Sequence, residues 1–141
     1  MSKTTIYILI ITLLAIWSCD NEPTGNSSET EMQGIWIGYE LEGGNDEWTY
    51  DVNEDVLDIN ASISQEWYKG TISLNTNAVP KQIDYFITDS YFNEAIDETA
   101  LGIYKIEGDT LTFAANAPGN PERPTSYLAE NGARVYIVLL Q

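Results

Sequence analysis

Residues 56–64, VLDINASIS, alternate apolar and polar side chains from Leu57 onward. The apolar set is Leu57, Ile59, Ala61 and Ile63, and the polar set is Asp58, Asn60, Ser62 and Ser64. Successive side chains of a β-strand point to opposite faces, so this stretch predicts a strand with one buried and one solvated face. Such a strand is typical of the wall of an antiparallel barrel or sandwich.

Segments of similar character lie on both sides of this strand, and none has a helical period longer than two turns. In chain order the candidate strands are Ile35–Leu41, Glu47–Val52, Val56–Ile63, Trp67–Leu74, Gln82–Thr88, Ala100–Glu107, Thr110–Ala115 and Arg134–Leu140, with a ninth candidate around Tyr127. Gly43–Asp46 and Gly108–Asp109 are hairpin signals, whereas Asn75–Pro80 and the proline-rich Pro118–Pro124 indicate loops. The sequence therefore predicts one all-β domain over residues 34–141.

About eight short antiparallel strands joined by turns favour a small up-and-down β-barrel. Closure of the sheet removes the exposed edges that an open sheet would leave. An immunoglobulin-like sandwich is the alternative that the same pattern allows.

Three residues bear on how such a barrel closes. Gly34 and Trp36 open the first strand, and Arg134 opens the last. This Gly-x-Trp with a late arginine resembles the lipocalin and calycin group, which implies a guanidinium packed over the indole at one end of the barrel. The alternation leaves open which face points inward, because Trp36 lies on one side of its strand and Ile35 and Ile37 on the other.

A wider resemblance covers essentially all of residues 34–140. It is carried by Gly34-Ile35-Trp36, Val79-Pro80-Lys81-Gln82-Ile83-Asp84, Leu101-Gly102-Ile103-Tyr104-Lys105-Ile106-Glu107-Gly108-Asp109-Thr110-Leu111, Pro118-Gly119 and Arg123-Pro124-Thr125. These blocks resemble the planctomycete-type uncharacterised lipocalin-like domain family. The resemblance implies a small β-barrel on secreted or lipidated bacterial chains, with no activity, cofactor or catalytic residue to transfer.

The first nineteen residues have the features of a bacterial lipoprotein signal. Lys3 is followed by an apolar run from Ile6 to Ile16, too short for a permanent membrane span, and the segment ends at Ser18-Cys19. This ending resembles a lipobox, which implies cleavage after residue 18 and lipidation of Cys19. Residues 19–33 then form an acidic, flexible tether. We expect a lipid-anchored protein of the cell envelope, at the outer membrane or cell surface rather than the inner membrane.

The composition excludes several classes of function. The chain has 22 acidic and 6 basic residues, a formal net charge of -16 and no histidine. Nucleic acid is a poor partner, because phosphate backbones are bound by clustered Lys and Arg. Without histidine or a recognisable catalytic constellation, we expect a protein that is not an enzyme and has no cofactor. We also expect it to be a monomer.

The acidic stretch after the first strand raises the possibility of a metal site. Asp51, Asn53 and Asp55 have the spacing of oxygen ligands in a calcium loop. Position six of such a loop would be Val56 instead of glycine, and position twelve Ser62 instead of glutamate. The ordinary explanation of this acidic stretch is a solvated rim of the barrel.

A barrel interior can also hold a small ligand. The candidate lining residues are Trp48, Trp67, Tyr68, Tyr85 and Phe113. We therefore expect a lipid-anchored barrel that binds a small apolar or cationic ligand, or an envelope protein. The alternatives are a filled barrel whose acidic face binds a basic partner, and a calcium-dependent module.

Overall fold

The computed structural model describes residues 31–130 and 132–141. They form eight antiparallel strands: β1 (Gly34–Glu40), β2 (Glu47–Asn53), β3 (Val56–Ala61), β4 (Trp67–Asn75), β5 (Lys81–Ser90), β6 (Thr99–Glu107), β7 (Thr110–Ala115) and β8 (Arg134–Leu140). One 3-10 turn, Asn93–Ala95, lies between β5 and β6. Each strand pairs with the next along the chain.

The sheet closes because β1 also pairs with β8. Their register runs from Trp36 opposite Leu140 to Glu40 opposite Tyr136. The predicted up-and-down barrel is confirmed, and the sandwich alternative is wrong. The ninth candidate strand is also wrong: Tyr127 lies in the loop after β7 and packs on the outer wall against Ile103, Ala114 and Val135.

The Trp36 side of β1 faces the interior. Trp36 is 2% exposed, whereas Ile35 and Tyr39 on the other side are 44% and 50% exposed. In β3 the apolar face is the buried one, as predicted, because Leu57 and Ala61 are buried. The largest ring of β1 therefore fills the barrel, and its aliphatic neighbours lie on the outer wall.

Gly34 begins β1 with a backbone φ of +117°, a region that favours glycine. A Cβ atom at this position would also lie 2.8 Å from Cδ1 of Leu140 on β8. Gly34 is thus suited to the start of the closing seam, the β1–β8 pair, in agreement with its predicted place there.

One end of the barrel is packed around Trp36. Its indole Nε1 donates a hydrogen bond of 2.8 Å to the carbonyl of Met32, which is itself 3% exposed. Tyr104 and Leu111 in the same core cluster are fully buried. This end is closed by the segment that leads into β1.

The predicted boundary between tether and domain is therefore wrong by at least three residues. Glu31 accepts hydrogen bonds from Lys81 Nζ at 2.7 Å and from the Tyr104 hydroxyl at 2.6 Å. The bond from Lys81 is the main cause that lowers the pKa of Glu31. Because Glu31 and Met32 contact the barrel, the compact domain begins by residue 31.

The predicted stacking of Arg134 on Trp36 is also wrong. The antiparallel register places Trp36 beside Leu140, six residues from Arg134 along β8. At about 3.3 Å per residue, the two side chains start roughly 20 Å apart. Trp36 fills the closed end, and Arg134 lies at the opposite end.

The loop between β7 and β8 is held to the outside of the wall by Arg123. Its Nη1 donates to the carbonyls of Ile83, at 3.0 Å, and Gly102, at 2.6 Å. Its Nη2 forms an ion pair with Asp84. These contacts fix the loop whose two ends lie beside Arg134.

The proposed signal peptide, Cys19 and most of the tether lie outside the described residues. Within residues 31–130 and 132–141, no helix combines the length and apolar character needed to cross a bilayer.

Candidate ligand-binding cavity

The barrel contains a cavity of about 320 Å³. Its lining includes the exposed Arg134, Ala117 and Gly132, but not Trp36 or Met32. The cavity therefore opens at the end opposite the Trp36 plug. The other lining residues are Trp48, Tyr50, Leu57, Ile59, Glu66, Tyr68, Ile83, Tyr85, Ile87, Phe92, Ala100, Gly102, Phe113, Ala115, Asn116, Pro118 and Tyr136.

A group of contacting aromatic rings forms one side of the cavity. Phe113 and Tyr136 are stacked with ring centroids 4.9 Å apart. Tyr50 meets Phe113 edge-on at 5.0 Å, and Trp48 meets Tyr136 edge-on at 5.8 Å. Edge-on and offset contacts are the favoured aromatic geometries. The rings therefore hold one another in place.

Small residues leave the neighbouring part of the interior empty. Ala100 and Gly102 on β6, and Ala115 on β7, all line the cavity. Gly102 and Ala115 are direct partners across the β6–β7 pair. Because these positions add little side-chain volume, the rings from β2, β7 and β8 have empty space beside them there instead of packed side chains.

Arg134 and Glu40 bring charge to the mouth of the cavity. The Nε of Arg134 lies 3.6 Å from Oε1 of Glu40, beyond hydrogen-bond distance. Tyr136 is close to both groups. Burial raises the pKa of Tyr136 to about 12, the Glu40 charge acts in the same direction, and Arg134 partly opposes the rise.

Two of the deeper lining side chains carry hydrogen-bond donors. Trp48 and Tyr50, with an indole N–H and a hydroxyl, are 4% and 3% exposed. Burial raises the pKa of Tyr50 well above its usual value, so the phenol stays protonated. The Tyr85 hydroxyl donates to the Leu57 carbonyl at 3.1 Å.

Asn116 lies beside the same mouth, directly after β7. Its Nδ2 donates to the Glu122 carbonyl at 2.7 Å. Its Oδ1 is buried and has no hydrogen-bond partner among the described residues. This amide therefore holds the loop after β7 through one of its two polar atoms only.

Comparison with protein-family models, curated proteins and solved structures gave no match to this chain. What the cavity can bind therefore follows from its own residues.

Four of the five predicted lining residues do line the cavity: Trp48, Tyr68, Tyr85 and Phe113. Trp67 does not. It precedes the inward-facing Tyr68 by one position and pairs with the exposed Asn60, so it lies on the outer face of β4.

Sequence analysis missed Tyr50, Phe92 and Tyr136, and it gave Arg134 a different role. Alternation contained part of the missing signal. Tyr50 lies two residues after Trp48, and Tyr136 two residues after Arg134, so each shares the inward face of its strand. Phe92 follows β5, outside any alternating segment, and only the fold brings it to the cavity.

The candidate calcium loop is a tight hairpin. Asp51 and Asn53 are exposed strand residues, and Asp51 pairs across the hairpin with Asp58. Only Glu54 and Asp55 separate β2 from β3, so the chain reverses instead of wrapping around an ion. Within the described part of the chain, no group of three or more acidic or cysteine side chains could hold a metal ion.

Proposed function

We propose that this protein is a lipid-anchored envelope protein whose barrel binds a small, largely apolar molecule without catalysing a reaction. The observation that carries the proposal is the cavity of about 320 Å³. It falls within the roughly 300 to 1,000 Å³ range of small-molecule sites. Its aliphatic and aromatic walls suit an apolar body, and the filled-barrel alternative would need a solid interior.

The closed end and the open end have different roles in this proposal. The Trp36 and Met32 plug supports one end of the barrel, and ligand enters past Arg134 at the other. The barrel also agrees with the fold that the planctomycete-type resemblance implies. An arginine in the wall disfavours the cationic ligand that the acidic composition first indicated.

The test of binding is a calorimetric titration of the purified protein with octanol, a neutral molecule with an apolar chain. We expect saturable binding of one octanol per chain. In an Ala115→Leu variant the added side chain enters the cavity, and we expect the affinity to fall at least about tenfold, equivalent to about 1.4 kcal/mol.

Thr112→Leu is the matched control, because Thr112 lies on the outer face of the same strand. This variant should bind octanol like the unmodified protein, and both variants should keep the β-sheet circular dichroism spectrum. Absence of octanol binding to the unmodified protein, or equal affinity in a folded Ala115→Leu variant, would contradict the proposal.

The anchor has a separate test at Cys19. Acyl chains contribute about 0.8 kcal/mol of membrane binding per buried methylene, so two or three chains hold a protein firmly. We expect Cys19→Ser to abolish incorporation of a fatty-acid analogue and to release the protein from the membrane fraction. Labelling that persisted in this variant would refute lipidation at Cys19.

A further inference from the structure

We infer that the ligand carries a carboxylate, or an equivalent oxyanion, on its apolar body, and that Arg134 binds this group together with the hydroxyls of Tyr50 and Tyr136. The inference rests on the proposed function and narrows it to amphipathic anions. Its starting observation is that Arg134, Tyr50 and Tyr136 bring hydrogen-bond donors to one side of the cavity.

Trp48 and Arg134 can only donate hydrogen bonds, and the protonated phenols of Tyr50 and Tyr136 each have a proton to donate. Trp48 and Tyr50 are more than nine-tenths buried, and both side chains line the cavity. A ligand that brings an acceptor into the cavity can take hydrogen bonds from these donors, whereas an ammonium group has no acceptor to offer. The buried Oδ1 of Asn116, on the same lining, is itself an acceptor without a partner among the described residues.

The two tyrosines lie close to Arg134. Tyr50 and Tyr136 are in edge contact, with ring centroids 5.9 Å apart. Arg134 and Tyr136 lie two residues apart on the inward face of β8. The Arg134 charge lowers the pKa values of both phenols, while burial and the Glu40 charge raise them more strongly. Because the three side chains line one side of the cavity, we expect one oxyanion to contact the guanidinium and the two hydroxyls.

Two carboxylates also face this end, and one of them, Glu40, forms an ion pair with Arg134 in which Oε1 lies 3.6 Å from Nε. This distance is too long for a hydrogen bond, and a guanidinium has five N–H donors in a planar fork, so donors remain for a ligand. Glu66 immediately precedes β4, which is opposite β8 in the order of the eight strands. The backbone positions of Arg134 and Glu66 are therefore on opposite sides of the barrel wall, although both charges act on Tyr68.

The net charge of -16 does not prevent such binding. At physiological ionic strength the screening length is about 8 Å, so distant exposed carboxylates act weakly at the mouth. Charge-assisted hydrogen bonds from a nearby guanidinium are roughly twice as strong as neutral ones. The local arrangement of donors then determines which head group is preferred.

The test compares octanoate, octanol and octylammonium, which share one apolar chain and differ in the head group. Titration calorimetry of the unmodified protein should give octanoate about tenfold or more higher affinity than octanol, and octylammonium the weakest binding. Arg134→Gln should remove the preference for octanoate and leave octanol binding within about twofold. Tyr50→Phe keeps the ring and should weaken octanoate binding by several fold.

Lys69→Gln is the charge-matched control, because Lys69 is exposed on β4 and does not line the cavity. It should leave the octanoate preference intact. Equal affinity for octanoate and octanol, tighter binding of octylammonium, or an unchanged preference in Arg134→Gln would overturn the inference while the proposed function stands. Failure of all three molecules to bind would overturn both.

Discussion

Replacing Trp36 by alanine is expected to lower the free energy of unfolding by roughly 3 to 5 kcal/mol. The indole is 2% exposed and belongs to the main core cluster. Its removal leaves a void between Met32 and the interior strands, and it removes the hydrogen bond to the Met32 carbonyl. Chemical denaturation followed by circular dichroism measures the loss.

The control for this prediction is Trp67→Ala, which removes the same ring from the outer face of β4. A substantially smaller loss is expected there, because Trp67 is only partly buried. If Trp36→Ala cost less than about 1 kcal/mol, the indole would not be a closed-end plug.

Replacing Gly38 by alanine should destabilise the barrel by about 3 kcal/mol or more, at the upper end of the cost of overpacking. Gly38 lies on β1 opposite Val138. A Cβ atom at this position would lie 2.0 Å from the carbonyl oxygen of Ile137 and 2.7 Å from the Cα of Val138. Both contacts are with backbone, so β1 and β8 would have to move apart where the sheet closes.

Ile37→Ala is the comparison for the seam, because it shortens the neighbouring side chain without adding an atom between the strands. We expect a smaller loss from this half-buried position on the outer wall. Amide hydrogen exchange should show faster exchange in β1 and β8 of Gly38→Ala than in β4 and β5. If Gly38→Ala were as stable as the unmodified protein, β1 and β8 would be less closely packed at Gly38 than described.

The plug and the seam explain why the two ends of this barrel differ. Trp36 and the residues before β1 fill one end, whereas Ala100, Gly102 and Ala115 leave space toward the other. The space that the binding proposal requires therefore lies at the end opposite Trp36. Substitutions at Arg134 or Tyr50 should change binding with less effect on folding than substitutions at Trp36.

The strands were predictable because their information is local. β7 and β8 have the predicted bounds, and β2 and β6 differ from prediction by one residue. Alternation of side chains and turn residues between strands operate over a few neighbouring positions. Around Tyr127 the same local pattern was misleading, because its ring is partly buried by packing on the outer wall and the residue belongs to no strand.

The candidate site was predictable only in part. Inward alternation was enough to select Trp48, Tyr68, Tyr85 and Phe113, because each lies on the buried face of its strand. The prediction that Trp67 lines the cavity was wrong, because the hydrophobicity of a ring does not by itself indicate which face of the strand the ring occupies. Phe92 lies between β5 and the following 3-10 turn, where no period of two applies.

By itself, the sequence determined an all-β domain of eight short strands and favoured its closure into a barrel, because these features depend on alternation, turn residues and the need to cover sheet edges. Only the tertiary structure decided that Trp36 and Arg134 lie at opposite ends and that a cavity remains beside Arg134. The first depends on the register between strands about a hundred residues apart. The cavity is a small difference between the space that eight strands enclose and the volume of the side chains inside it. No local sequence pattern encodes this difference.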